Sequence, residues 1–257
     1  MTSDFENVNR PDPAMNGGKD TAAVYFARVA ALKDPETYRA ALSKASPERR
    51  EKTERLQRPE DRERSLAAEL LLRKALSDAG IGLPELRYSY GPHGKPYLAD
   101  RPDFCFSISH SGELVMLSSA GEEVGCDVER IAPTDGRIVE RFFSDAEKAF
   151  FRGLPAERQN ESFFRLWTLK EAFLKATGQG FSLPLDSFSI GFDDDGRATV
   201  RQSVDPKGYA VAELSPVPGY AAAVSLQSKT LTLNVRTVDI RDLCRRLSDE
   251  NGEGAAR

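Results

Sequence analysis

The sequence is poor in the residues that build disulfide frameworks and thiolate metal clusters. Its 257 residues include three cysteines and two histidines. The cysteines, Cys105, Cys126 and Cys244, are odd in number and have no metal-ligand spacing. Because the first two lie in segments with a strand-like pattern, we expect buried thiols in a reducing compartment rather than disulfides.

Long apolar runs are also missing. No segment has enough consecutive apolar residues to span a bilayer. Residues 1–19 lack the apolar core and the small-residue cleavage site of a signal peptide. These absences predict a cytoplasmic globular protein that does not act at a membrane.

The chain has no excess of positive charge. It carries 36 Lys and Arg against 40 Asp and Glu, a net charge of -4, and its pI is about 5.5. This balance excludes a protein that is basic throughout, but it allows a local basic pocket, because anion binding depends on clustered charge. The basic residues between positions 49 and 64 alternate with acidic ones. Such alternation is typical of a salt-bridged helix face and argues against nucleic acid as a partner.

Helical and strand-like segments follow one another in an order that predicts an α+β fold. A charged helical stretch covers Ser46–Ala79 and is broken at Pro59, and short strands follow it. Two more helical segments, Ile138–Leu154 and Glu161–Thr177, precede a second set of strands. This order predicts two similar α+β lobes. The predicted divisions are a disordered arm at 1–18, an N-terminal lobe at 19–123, a C-terminal lobe at 124–245 and a disordered tail at 246–257.

A first candidate site lies in the predicted strand Val124–Glu129. Because side chains alternate on a strand, Asp127 and Glu129 share one face. Gly125 is expected to leave open space on that face. Paired carboxylates suit a hard cation such as Mg²⁺, although a solvated acidic strand face is an alternative interpretation.

A second candidate site lies on the predicted helix that contains Trp167. Trp167, Glu171 and Lys175 recur every four residues and so share one helix face. Glu171 and Lys175 alone are also consistent with a surface ion pair worth about 0.3 kcal/mol. The tryptophan, the only one in the chain, and Gly178 just beyond the helix favour a functional face.

A third candidate site is the segment Ser107–Gly112 at the end of a strand. Hydroxyl groups, the imidazole of His110 and backbone N–H groups near the glycine can together bind an anion such as phosphate. A solvated hairpin turn has a similar composition, and a lone histidine is often structural.

Taken in order, these segments resemble one protein family. The motifs, from the N-terminus, are SPERREK, RPEDRERS, GKP, SISHSG, GCDVE, FFSxxE, WTLKEAFLK and GFSLPLDSF. In this order they resemble the surfactin-synthetase-type 4′-phosphopantetheinyl transferases, from about Ser46 to Phe188. The resemblance implies two α+β lobes that form an intramolecular pseudo-dimer with antiparallel sheets and packed helices. It also implies that coenzyme A binds in the cleft between them.

The resemblance further implies roles for individual residues. Asp127, Glu129 and Glu171 would hold Mg²⁺, Glu171 and Lys175 would be catalytic, and Glu147 would lie close to the metal. The residues expected to contact coenzyme A are Arg49, Lys52, Arg64, Ser65, Lys95, Ser109 and His110.

The implied function is transfer of 4′-phosphopantetheine from coenzyme A to a serine of an apo carrier protein, with release of adenosine 3′,5′-bisphosphate. The carrier would be a peptide, polyketide or acyl carrier that docks near the mouth of the cleft, and the enzyme would be a monomer. Three alternatives stay open: a non-catalytic coenzyme A or nucleotide-binding module, a metal-dependent phosphohydrolase, and a structural protein with solvated charged faces. A phosphohydrolase would use the same carboxylates but would need no protein acceptor.

Overall fold

The computed structural model of the protein describes residues 18–82, 85–134, 136–203 and 205–253, except for the side chains of 248–253. Within these residues the chain forms eleven β-strands and seven α-helices. The strands are β1 (Thr21–Arg28), β2 (Tyr88–Tyr90), β3 (Pro96–Leu98), β4 (Cys105–Ser111), β5 (Leu114–Ala120), β6 (Val124–Arg130), β7 (Ser189–Phe192), β8 (Ala198–Arg201), β9 (Ala210–Leu214), β10 (Tyr220–Leu226) and β11 (Thr232–Val238). The helices are α1 (Pro35–Lys44), α2 (Pro47–Arg55), α3 (Pro59–Asp78), α4 (Arg137–Phe142), α5 (Asp145–Arg152), α6 (Ala156–Thr177) and α7 (Ile240–Glu253).

The first sheet has the strand order β11-β1-β5-β4. Strand β1 runs antiparallel to β5 and parallel to β11. Helix α3 packs against β1 and β5 and buries Leu66, Leu70 and Leu71. Pro59 begins this helix, because proline fits the first helical turn, where its missing N–H has no intrahelical partner to lose. The predicted helix break at Pro59 is therefore confirmed.

The second sheet has the strand order β6-β10-β9 and is antiparallel. Helix α6 packs across β6 and β10 and buries Leu166, Leu169 and Phe173. The helix ends at Gly178, whose φ of 67° lies in the left-handed region that glycine adopts without a Cβ clash. Each of these two larger sheets is thus covered by one long helix. The predicted α+β fold with packed helices is confirmed, and the sheets are antiparallel as predicted, apart from the parallel pair of β1 and β11.

The sequence patterns did not predict the last strand and the last helix. Strand β11 pairs with β1, and α7 packs against α1 and α3, so both elements lie with the first sheet. Helix α7 continues to Glu253, into the segment 246–257 that was predicted to be a disordered tail. Ile240, Leu243 and Cys244 are buried at helical spacing, which explains why the helix forms. Residues 1–17 of the predicted arm and residues 254–257 of the predicted tail lie outside the described residues.

The three cysteines are free thiols in the interior of the protein. Cys105 lies on β4, Cys126 on β6 and Cys244 on α7, and all three are buried. The prediction of buried thiols without disulfides is confirmed. Among the described helices, none combines the length and the apolar character that crossing a membrane would require.

Candidate active site

A cavity of about 570 Å³ lies between α2, α3, β4, β6 and α6. Strand β4 of the first sheet and the helices α2 and α3 form one part of its wall, and strand β6 of the second sheet and helix α6 form the other. Trp167 lines the cavity, so the helix face that it shares with Glu171 and Lys175 is turned toward it. Most of the predicted site residues line the cavity together: Arg49, Lys52, Ser65, Ser109, His110, Asp127, Glu129, Glu171 and Lys175.

Strand β6 and helix α6 approach each other closely at Gly125. A Cβ atom at this position would lie 2.0 Å from the carbonyl oxygen of Ala172 and 2.3 Å from the backbone nitrogen of Ala176. Real Cβ atoms essentially never come within 3.0 Å of another atom, so glycine is required here. The expectation of open space beside Gly125 is wrong, because the backbone of α6 fills it. The close approach brings Glu171 and Lys175 against the carboxylates of β6.

Asp127 is the most deeply buried carboxylate of the cavity wall, with 3% of its surface exposed. Its Oδ1 accepts hydrogen bonds from Nζ of Lys175 and from Oγ of Ser109, each at 2.7 Å. Nζ of Lys175 also donates to Oγ of Ser109 at 3.1 Å. Because a buried charge without its partner is strongly destabilising, Asp127 and Lys175 depend on each other in this arrangement.

Burial and neighbouring charges shift the pKa values of the other ionisable groups. Burial raises the pKa of Glu171, and although Lys175 opposes this, the charges of Asp127 and Glu129 raise it further. Burial also raises the pKa of Glu129. For Lys175, burial acts to lower the pKa, but the charge of Asp127 and other anionic neighbours outweighs it and raises the pKa. A carboxylate with a raised pKa is a better proton acceptor, while Lys175 stays positively charged.

The carboxylate oxygens are suitable ligands for a hard divalent cation, but in this structure the side chains are not arranged around a common point. In the part of the chain that the structure describes, no three His, Cys, Asp or Glu side chains converge as a ready-made metal site. Oδ2 of Asp127 and Oε1 of Glu171 are nevertheless buried without any hydrogen-bond partner, which is costly unless a ligand satisfies them. Together with Glu129 they supply the oxygen ligands that Mg²⁺ prefers. Lys175 already pairs with Oδ1 of Asp127, so the side chains would have to adjust around an ion.

Basic side chains from α2 and the end of β4 line another part of the cavity. The guanidinium of Arg49 donates to the buried Glu69 at 3.2 Å. Partial desolvation and the neighbouring charge of Arg49 lower the pKa of Lys52. Partial desolvation and the charge of Arg64 likewise lower the pKa of His110. An anion such as phosphate that binds between these groups would offset the repulsion and favour their charged forms.

Lys95 does not line the cavity, in contrast to its implied contact with coenzyme A. Its ammonium group donates to Glu123 at 2.5 Å and to the carbonyl oxygen of Ala176 at 3.2 Å. That carbonyl belongs to the last turn of α6, where the helix dipole favours a positive charge. In the structure, Lys95 therefore attaches the segment between β2 and β3 to the end of α6.

Glu147 lies in the protein core rather than beside the cavity. It pairs with Lys170 at 2.8 and 2.7 Å, and both side chains are 0% exposed. Its oxygens also accept hydrogen bonds from the backbone N–H groups of Ser144 and Ile190, at 2.8 and 2.7 Å. Both oxygens of Glu147 are thus occupied, which contradicts the expected position close to a metal.

The sequence patterns did not assign Asp61 to the site, and they did not predict the contact between Ser111 and Glu129. Asp61 lines the cavity and pairs at 2.5 Å with Arg64, which does not itself line the cavity. The sequence does not distinguish Asp61 from its neighbours, because it is one of many alternating charges around the start of α3. Ser111 donates to Glu129 at 2.6 Å. Ser111 belongs to the segment Ser107–Gly112 that was predicted to bind an anion, and its strand spacing from Ser109 was the signal that could have identified its contact with a carboxylate.

Comparison with known proteins places the chain in a family. A family model described as "4′-phosphopantetheinyl transferase, N-terminal" matches residues 33–122, and one described as "4′-phosphopantetheinyl transferase superfamily" matches residues 123–225. The 4′-phosphopantetheinyl transferase Sfp of Bacillus subtilis (strain 168) is 32% identical over 221 residues, which cover 86% of this chain and 97% of that protein. This chain belongs to the 4′-phosphopantetheinyl transferase family.

Other members of the family are similar over much of this transferase. The 4′-phosphopantetheinyl transferase ffp of Bacillus subtilis is 37% identical over 194 residues, covering 75% of this chain and 86% of the relative. The 4′-phosphopantetheinyl transferase gsp of Aneurinibacillus migulanus is 31% identical over 222 residues, covering 85% and 92%. The two family models together cover residues 33–225, which include all elements of the cavity.

Proposed function

We propose that this protein transfers the 4′-phosphopantetheine group of coenzyme A to a serine of an apo carrier protein and releases adenosine 3′,5′-bisphosphate. The observation that carries the proposal is the shared cavity in which Glu171 and Lys175 face the carboxylates Asp127 and Glu129. Membership of the family supports the same reaction. Phosphoryl-type transfer requires charge neutralisation on the phosphates and a nucleophile aligned with the phosphorus atom, and this cavity offers groups for both.

The basic part of the cavity would bind the phosphates of coenzyme A. Arg49, Lys52 and His110 lie there together with the hydroxyls of Ser65 and Ser109. A guanidinium group can hold a phosphate with two parallel hydrogen bonds, and an ammonium group acts as a point charge. These contacts would fix the nucleotide end and leave the diphosphate near the carboxylates of β6.

The bond changes then involve α6. The serine oxygen of the carrier attacks the phosphorus atom that bears the pantetheine, and the bond from that atom to the bridging diphosphate oxygen breaks. Glu171 accepts the proton of the serine hydroxyl, a role that its raised pKa favours. Lys175 places a positive charge near the leaving oxygen and stabilises the charge that develops on it.

Asp127, Glu129 and Glu171 are the residues that would hold Mg²⁺, which when bound supplies positive charge at the diphosphate. Two of these side chains have buried oxygens without partners, Oδ2 of Asp127 and Oε1 of Glu171. We also infer that the protein is a monomer, because both halves of one chain contribute walls to the cavity. Its buried free thiols are consistent with a reducing compartment such as the cytoplasm.

The test is transfer of a fluorescent coenzyme A analogue to a purified apo carrier domain, with Mg²⁺ and then with EDTA. We expect labelling that requires Mg²⁺ and disappears when the acceptor serine of the carrier is replaced by alanine. Release of nucleotide products without labelling of any carrier would contradict the proposal and indicate a phosphohydrolase. Binding of coenzyme A with neither labelling nor release would indicate a binding module.

Two variants connect the activity to the cavity. Glu171→Gln and Lys175→Met should each reduce labelling by about 100-fold or more, because each removes a group that acts on the reacting atoms. Glu161→Gln is the matched control, since Glu161 lies on the exposed surface of the same helix. Labelling at the wild-type rate by either cavity variant would contradict the assigned roles.

A further inference from the structure

Strand β4 carries a row of serines that face β6 across the junction of the two sheets. Strands β4 and β6 belong to different sheets and are not paired through their backbones. Ser107, Ser109 and Ser111 alternate along β4 and so share one side. Each hydroxyl contacts β6: that of Ser107 accepts from the backbone N–H of Cys126 at 3.1 Å, and those of Ser109 and Ser111 donate to carboxylates.

The hydroxyl of Ser111 both donates a hydrogen bond to β6 and accepts one from it. Its Oγ donates to Oε2 of Glu129 at 2.6 Å and accepts from the backbone N–H of Arg130 at 3.1 Å. A serine hydroxyl has one hydrogen to donate, so the accepted bond from Arg130 directs that hydrogen toward Glu129. The hydroxyl of Ser109 likewise donates to β6, but the hydrogen bond that it accepts comes from Lys175 on α6.

The turn that follows Ser111 is itself held in place. The carbonyl oxygen of Gly112 accepts from Arg64 at 2.9 Å, and the backbone N–H of Glu113 donates to the hydroxyl of Tyr220 at 3.1 Å. These contacts come from α3 and from β10, one on each side of the junction. Ser111 is therefore held in a fixed position relative to both sheets. Its hydrogen bond can in turn hold the side chain of Glu129 in one orientation.

We propose that Ser111 is a positioning residue that orients Glu129 toward the divalent cation. Its hydroxyl holds Oε2 of Glu129 and leaves Oε1 for the cavity that the Glu129 side chain lines. The proposal rests on the proposed function for the identity of the ligand, because the cation is the one that the transfer reaction would use. Groups that hydrogen-bond to a metal ligand typically change metal affinity or activity by about 10- to 100-fold when removed.

The experiment measures metal binding directly, by electron paramagnetic resonance titration of the full chain with Mn²⁺ in the presence of coenzyme A. Ser111→Ala should weaken Mn²⁺ binding by about tenfold, and Ser111→Thr, which keeps a hydroxyl, should restore most of it. Ser107→Ala is the matched control, because Ser107 lies in the same row but contacts no carboxylate. It should leave Mn²⁺ affinity unchanged.

A parallel transfer assay separates binding from chemistry. Ser111→Ala should need more Mg²⁺ for half-maximal rate and recover most of its kcat at saturating Mg²⁺, as expected when ground-state binding is lost. Equal Mn²⁺ affinity in wild type and Ser111→Ala, equal weakening by Ser107→Ala, or no Mn²⁺ binding by the wild type would each overturn the proposal. A wild type that binds Mn²⁺ but labels no carrier would count against the proposed function, and the comparison of Ser111→Ala with Ser107→Ala would still decide the role of Ser111.

Discussion

The contact between β6 and α6 at Gly125 gives the sharpest test of how this site is built. In Gly125→Ala the new methyl group would lie 2.0 Å from the carbonyl oxygen of Ala172, and ordinary contacts begin at 3.4 Å. The two elements must therefore separate by about 1.4 Å at this point. Overpacking of this kind costs about 1–3 kcal/mol of the free energy of unfolding. Because Glu171 and Lys175 move with α6, while Asp127 and Glu129 stay on β6, a displacement of about 1 Å should lower the transfer rate by about 100-fold.

Two measurements on the same preparations test this reasoning. Urea unfolding followed by circular dichroism gives the change in stability, and transfer of a fluorescent coenzyme A analogue gives kcat. Gly121→Ala is the control, because a Cβ at Gly121 meets no atom within 4 Å. That variant should have wild-type stability and rate. A Gly125→Ala protein with wild-type kcat would show that catalysis does not depend on the close approach of β6 and α6.

The ionisable groups of the protein provide three further tests. The pKa of His110 lies below its usual 6.5 in the free protein, so a phosphate bound beside the imidazole should raise this pKa. Coenzyme A binding should then be accompanied by proton uptake, and its affinity should increase as the pH falls toward the pKa of His110. Calorimetry in buffers of different ionisation enthalpy should detect that uptake, and an unchanged uptake in His110→Gln would contradict it. Lys170→Met leaves Glu147 buried and unpaired, so urea unfolding should show a loss of about 3–5 kcal/mol; a loss below about 1 kcal/mol would contradict the buried ion pair. In a binding titration, Lys52→Met should weaken coenzyme A binding while Lys95→Met should not. Equal weakening by the two variants would indicate that Lys95 contacts coenzyme A after all.

Local sequence patterns were sufficient to predict the parts of the cavity wall that are formed by the carboxylates of β6 and by one face of α6. The two-residue period of a strand places Asp127 and Glu129 on one face, and the helical period places Trp167, Glu171 and Lys175 on one face. Both groupings depend only on backbone geometry within one element. They hold in the structure because β6 and α6 are regular where these residues lie.

Which charged residues reach the cavity could not be predicted in the same way. Lys95 and Glu147 occur in motifs of the family, yet their charges are used within the protein, by the end of α6 and by Lys170. Such pairings form between elements that are distant in sequence, so no local period reveals them. Asp61 illustrates the opposite case, because an ordinary charge in an alternating stretch becomes part of the cavity wall.

The parallel pairing of β1 with β11 has a consequence for how the chain folds. Both neighbours of β1 in the sheet, Leu114–Ala120 and Thr232–Val238, follow it in the chain and are synthesised long after it. During synthesis, β1 keeps an unpaired edge until β11 has left the ribosome, and an apolar strand with an open edge is prone to associate with other chains. Pairings so distant in sequence also slow folding, because a long loop must close before they form. A nascent chain that stalls before residue 232 should therefore aggregate or recruit a chaperone, even though the cavity elements from α2 to α6 have already been made.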